Sequence, residues 1–198
     1  MTQIWLASSN ANKLKELKDL STGRPYEILS PKELGFYSPP DETGDTFQAN
    51  ALIKAKYLKA MVKNQEAWVI AEDSGLVVDG LGGLPGIHSA RYAGTKATDL
   101  DNTAKLLKMM KIRSPINRKA FYHCSILAIS PQGEEVHFEG QFEGTISKAQ
   151  KGTGGFGYDP VFTPKGEEQT LGELPSSFKT KHSHRAIAFK KFIGHIST

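Results

Sequence analysis

The stretch Val69–Gly94, V-I-A-E-D-S-G-L-V-V-D-G-L-G-G-L-P-G-I-H-S-A-R-Y-A-G, decides how the chain is read. The apolar run that leads into it, Trp68 to Ala71, predicts a buried strand. Glu72 and Asp73 come next, followed by Ser74 and Gly75, where the sequence predicts a turn. A second apolar run, Leu76 to Val78, then returns into the core. Adjacent carboxylates at the end of a buried strand are where an enzyme holds a divalent cation against a phosphate. The same pair also reads as solvated carboxylates at an ordinary turn, so the remainder of the chain has to decide.

At 198 residues the chain predicts one substantial core, a single domain over 1–198 with room for two lobes. Its 38% hydrophobic and 23% charged residues are ordinary for a soluble globular protein. No apolar run approaches the roughly 18 residues that a membrane helix needs, and no signal-peptide pattern is seen. Cys124 is the only cysteine, which excludes an internal disulfide and a cysteine zinc cluster. The expectation is a cytoplasmic protein with no membrane partner. A net charge of +4 favours anionic partners. The lysines are spread along the chain without a block, so phosphates of a small molecule fit and a stable nucleic-acid complex is not expected.

Upstream, Ile4 to Ala7 predicts a strand, and a helix is expected from about Asn12 to Leu20. Between them lie Ser8, Ser9, Asn10, Ala11, Asn12 and Lys13. A strand, a polar loop and a helix start make an anion cradle of hydroxyls and free N–H groups, to which Lys13 adds charge. Tyr26 to Leu29 predicts another strand. The loop Phe36–Asp45 contains Pro39, Pro40 and Gly44, which exclude helix around Glu42. A helix follows over about Thr46–Lys63, with Asp45 and Gln48 at capping-box-like spacing and Phe47, Ala51, Ala55, Leu58 and Val62 inward. Asn50 and Lys54, four apart, share another face of it.

Downstream, Gly82–Gly86 predicts a tight turn. Thr98–Ile112 predicts an amphipathic helix with Leu100, Ala104, Leu107 and either Met110 or Met109 inward. Ala120–Ile129 and Glu135–Ile146 predict a hairpin around Pro131-Gln132-Gly133, with His123 and His137 as structural residues. In G-T-G-G-F-G-Y-D-P, from Gly152 to Pro160, the glycines leave the backbone approachable. Phe156 and Tyr158 in such a loop are placed to stack on a flat ligand. Ser183 caps a closing helix whose first turn carries His184 and Arg185, and cations there oppose the helix dipole unless a ligand uses them.

Six segments in order give the chain a resemblance to the inosine triphosphate pyrophosphatase family, which hydrolyses non-standard purine nucleoside triphosphates. They are S-S-N-A-N-K, E-T-G-D-T-F-Q-A-N-A-L-I-K-A-K, A-E-D-S-G-L-V-V-D, L-G-G-L-P-G-I-H-S-A-R-Y, G-T-G-G-F-G-Y-D-P-V-F and S-H-R-A. The resemblance implies an α/β fold with a long mixed sheet, flanking helices and a cleft between two lobes, in a homodimer. It implies that Ser8–Lys13 bind the triphosphate, that Lys54 is a second phosphate contact, and that Glu42 and Asp73 hold magnesium. Asp73 would also be the proton acceptor, although by position Glu72 serves as well. Ser74, Phe156, Gly157, Tyr158, Asp159, Lys179, His184 and Arg185 are implied as further substrate contacts. Ala186 and Thr180 depart from the glycine and asparagine common in the family. The alternatives are a pyrophosphatase for modified pyrimidine triphosphates and a non-enzymatic nucleotide- or RNA-binding module.

Overall fold

A computed structural model describes residues 1–35, 37–113 and 117–197; Phe36, the first residue of the expected loop, lies outside them. In chain order the elements are β1 (Thr2–Leu6), α1 (Ala11–Ser21), β2 (Tyr26–Leu29), α2 (Phe47–Lys59), β3 (Trp68–Val78) and α3 (Asp99–Ile112). They continue with β4 (Lys119–Ile129), β5 (Glu135–Ile146), β6 (Phe162–Pro164), α4 (Ser176–His182) and α5 (His184–Ile196). Six strands form one sheet in the order β2-β1-β3-β4-β5-β6. It is mixed, as expected: β1 runs parallel to β2 and β3, while β6 runs antiparallel to β5.

The chain divides into two compact units, one made of residues 1–73, 124–140 and 185–198, the other of 74–123 and 141–184. In the first unit the strands alternate between two apolar clusters. Ile4, Leu6, Ile70, Ile126 and Ala128 pack with Leu17 of α1 and with Phe189 and Phe192 of α5. Trp5, Ala7, Val69, Ala71, Leu127 and Ile129 pack with Ala51, Ala55 and Leu58 of α2. The strands are buried on both faces, which is why they read as continuous apolar runs. In the second unit Leu76, Val78, Leu106, Met110, Tyr122, Ile146, Tyr158 and Phe162 make the core.

Three expectations need correction. The turn read at Ser74-Gly75 does not exist, because β3 runs unbroken from Trp68 to Val78. Gly75 does not take a positive φ, so its conformational freedom is unused and the backbone stays extended. The helix expected to reach Lys63 ends at Lys59, and its N-cap is Thr46, whose hydroxyl accepts from the Ala49 N–H at 3.1 Å. In α3, Leu100 is 65% exposed, and the inward face is Asn102, Thr103, Leu106 and Met110. The helix turns a polar residue inward because Asn102 is satisfied there, accepting from the Ala93 N–H at 2.7 Å and donating to the Ala90 carbonyl at 3.1 Å.

The β5–β6 edge has little tolerance for added volume. A Cβ on Gly144 would collide with the Thr163 carbonyl and lie 2.6 Å from Cζ of Phe162. Gly144→Ala is therefore expected to destabilise the protein by about 1–3 kcal/mol through overpacking, read as a lower midpoint in thermal unfolding. An unchanged midpoint would show that β6 yields freely.

Candidate active site

Continuity of β3 puts Glu72 and Asp73 on opposite faces of the sheet, and each meets a different set of side chains. Glu72 follows Ile70 onto the face covered by α1 and α5. There Arg185 Nε donates to its Oε2 at 2.7 Å and Lys13 Nζ lies 2.8 Å from its Oε1. The Cys124 thiol also donates to Oε2, at 3.2 Å. Arg185 pairs in addition with Glu16 of α1. Glu72 and Arg185 are 1% and 2% exposed, so this is an ion network inside the protein. Burial alone would raise the Glu72 pKa, but the Arg185 and Lys13 charges more than offset it and hold the carboxyl well below its ordinary 4.5.

Asp73 follows Val69 and Ala71 onto the α2 face. Lys54 Nζ donates to its Oδ1 at 3.1 Å and to Glu42 Oε1 at 2.7 Å, so one ammonium joins both carboxylates. The Asn50 amide donates to Asp73 Oδ2 at 3.3 Å while its own Oδ1 accepts from the Gly44 N–H at 2.8 Å, which fixes the loop that carries Glu42. Burial raises the Asp73 pKa; Lys54 works against that, Glu42 with it, and the net result lies above the ordinary 3.8. The neighbours on one strand thus titrate in opposite directions, and only Asp73 is shifted toward the range of a proton acceptor. Glu42 and Asp73 present oxygen donors alone, the set a hard cation such as magnesium takes together with water and substrate phosphates. These residues fit that ion. Among the described residues no group of three or more His, Cys, Asp or Glu could hold a metal ion.

The Ser8–Lys13 segment forms the turn into α1. Asn10 caps the helix, its Oδ1 accepting from the N–H groups of Asn12 at 2.9 Å and Lys13 at 3.2 Å, and Ser8 Oγ accepts from the Asn10 N–H. Ser9, Asn10, Ala11 and Asn12 are exposed, with Lys13 beside them leaning onto Glu72.

In the second unit the expected substrate residues cluster around Asp159, which is fully buried. Its Oδ2 accepts from the Phe156 N–H at 2.9 Å and from Lys179 Nζ at 2.6 Å, and its Oδ1 accepts from the Tyr122 hydroxyl at 3.1 Å. Lys179 Nζ stands 3.8 Å from the centroid of the half-buried Phe156 ring. The His184 imidazole stacks on Tyr122, centroids 4.8 Å apart and planes 9° from parallel. Tyr158 is core: it is 4% exposed and its hydroxyl donates to the Ser89 carbonyl at 2.8 Å, so it is no exposed stacking ring. Ser74 is half-buried in β3, immediately after Asp73.

Glu42, Lys54, Asp73, Lys13 and Arg185 are gathered in the first unit, and Phe156, Asp159, Lys179 and His184 in the second. Sequence reading missed Asn50, Glu16 and Tyr122. Asn50 had a signal, its four-residue spacing from Lys54. The other two meet partners 169 and 37 residues away, and no local pattern announces them.

Residues 4–195 match the Ham1 family. The chain is 47% identical to the dITP/XTP pyrophosphatase of Bdellovibrio bacteriovorus, over 99% of this chain and 98% of that one. It is 44% identical to the dITP/XTP pyrophosphatase of Bacillus subtilis, over 96% and 95%. A HAM1 protein from Coxiella burnetii superposes with a TM-score of 0.88 at 33% identity, covering 100% of this chain and 99% of that one.

The buried network has a measurable consequence. Glu72→Gln leaves Arg185 short of a counter-charge in the interior and should cost on the order of 3–5 kcal/mol of stability. A carboxylate whose folded pKa is depressed contributes stability that is complete above its unfolded value, near 4.5, and is lost as pH falls through the folded value. In thermal melts the gap between wild type and Glu72→Gln should be widest above pH 4.5 and close in stronger acid. A gap independent of pH would contradict this charge assignment.

Proposed function

The chain belongs to the Ham1 family, and on that premise we propose that it is a magnesium-dependent pyrophosphatase for non-standard purine nucleoside triphosphates. It is a hydrolase acting on nucleoside triphosphates; in this reading it cleaves ITP, dITP and XTP between the α- and β-phosphates. The observation that carries the reading is the shared ammonium of Lys54 between Glu42 and Asp73, close to Lys13. A phosphate site alone has no use for two carboxylates.

Glu42 and Asp73 would hold the magnesium ion, which when bound supplies positive charge to phosphate oxygens. Asp73 accepts the proton of a water as the water oxygen attacks the α-phosphorus. The α–β bridging bond breaks, pyrophosphate leaves, and the product is a nucleoside monophosphate. Lys13 and Lys54 offset the negative charge that grows on the leaving group. Glu72 takes no proton in this scheme. Fixed as an anion by Arg185, it orients Lys13 beside the exposed Ser9–Asn12 turn.

The second unit reads the base. Phe156 offers a ring for stacking and Lys179 a donor for the 6-oxo group of hypoxanthine or xanthine. Adenine presents a 6-amino donor to the same groups and is refused, a mismatch that can be worth roughly 10⁴ in specificity. The Arg185 side chain is committed to Glu72 and Glu16 and does not serve as the base donor. A homodimer in the cytoplasm completes the proposal; sedimentation in solution tests the dimer.

With magnesium present, pyrophosphate should be released from dITP and XTP and not from dATP, and chelation should stop release. Asp73→Asn and Lys54→Met should each lose on the order of 10²–10³ in turnover. Orthophosphate as first product, or equal rates on dATP, would refute the reading.

A further inference from the structure

The Phe156 ring is held by a loop whose conformation is set from outside it. Gly157 has a φ of 64°, a left-handed conformation that costs a side chain but not glycine. Its N–H donates to Asp99 Oδ2 at 2.7 Å, across 58 residues of chain. Its carbonyl lies 3.4 Å from the Thr103 hydroxyl, whose proton goes mainly to the Asp99 carbonyl at 2.8 Å. The carboxylate of Asp99 is therefore the main tie between α3 and the Phe156–Gly157 peptide. On the other side of that residue the Phe156 N–H is tied to Asp159. Two consecutive amides, each on its own carboxylate, fix the backbone from which the ring projects, with Lys179 over its face.

Asp99 is presented from a rigid frame. Thr98 and Asp101 form a capping box at the helix start, Thr98 Oγ1 accepting from the Asp101 N–H while Asp101 Oδ2 accepts from the Thr98 N–H. Asn102 pins the same turn to Ala90 and Ala93, and Leu106 and Met110 sit in the core. Between helix and loop lies a pocket of about 190 Å³ lined by Asp99, Leu100, Thr103, Phe156 and Gly157. The loop has room to shift there once the tie is cut.

The geometry points to Asp99 as a positioning residue for base recognition: its carboxylate fixes the Phe156–Gly157 peptide and thereby the ring on which the purine stacks. This rests on the reading of Phe156 and Lys179 as base contacts. In this role Asp99 acts on the Gly157 N–H and not on the reacting phosphates, so its loss should weaken binding and leave the chemical step intact. A hydrogen bond to a charged acceptor is worth enough to shift binding by roughly tenfold.

The test compares Asp99→Ala, Asp99→Asn, Asp101→Ala and Phe156→Ala in steady-state hydrolysis of dITP and in thermal melts. Asp99→Ala should raise KM about tenfold with kcat within twofold, and Asp99→Asn, whose amide oxygen accepts the same N–H, should recover most of the loss. Asp101→Ala breaks the capping box without touching the loop, so it should lower the melting temperature and leave KM alone. If Asp99→Ala merely copies Asp101→Ala, the positioning role is wrong. If Asp99→Ala loses kcat and keeps KM, it is equally wrong. A Phe156→Ala variant with unchanged KM would instead overturn the base site on which the proposal rests.

Discussion

Successive residues of a β-strand point to opposite faces, and that constraint at Glu72-Asp73 organises the protein's chemistry. Because β3 continues through the pair, one carboxylate faces α1 and α5 and the other faces α2. The first meets two cations and becomes a fixed anion. The second shares one ammonium with another carboxylate and keeps a raised pKa. A turn at this point would have let both side chains reach water and erased the difference. The apolar alternation of Val69, Ile70 and Ala71 sets the phase, so the core specifies which carboxylate gets which environment.

The charges in the interior are compensated in chains rather than pairs. Arg185 reaches Glu72 and Glu16, Lys13 adds to Glu72, and Lys54 joins Glu42 to Asp73. Burying such groups is costly, and removing one partner leaves the others stranded. An arrangement of this kind carries little net stability, and its value lies in orientation. Lys13 and Lys54 are held close to where phosphates are proposed to lie, and the protein has met their desolvation on folding. In the second unit Asp159 acts similarly on neutral and charged donors, gathering Phe156, Tyr122 and Lys179 around one buried carboxylate.

Much of the scaffold was legible in the sequence, and the failures have physical causes. The hairpin β4–β5 shows because two long strand patterns, one apolar and one interleaving apolar with polar residues, flank Pro131-Gln132-Gly133, and Gly133 does take a positive φ. Gly75 misled because glycine permits a turn without demanding one. The inward face of α3 was misplaced at Leu100 because Asn102 looks like a solvent residue until its partners Ala93 and Ala90 are known. The gathering of Glu42, Lys54 and Asp73 was anticipated from the motifs, whereas the role of Arg185 was not, since its carboxylate lies 113 residues away in sequence. Tyr158 looked like a stacking ring, and only the Ser89 carbonyl explains why it turns inward.

The most direct test of the account is a carboxyl-carbon NMR titration of the metal-free protein, with Glu72 and Asp73 assigned through Glu72→Gln and Asp73→Asn. The account predicts that Asp73 titrates above 3.8, while Glu72 stays ionised to well below 4.5. Glu72 titrating at the higher pH, or the two titrating together, would contradict the division of roles that β3 imposes.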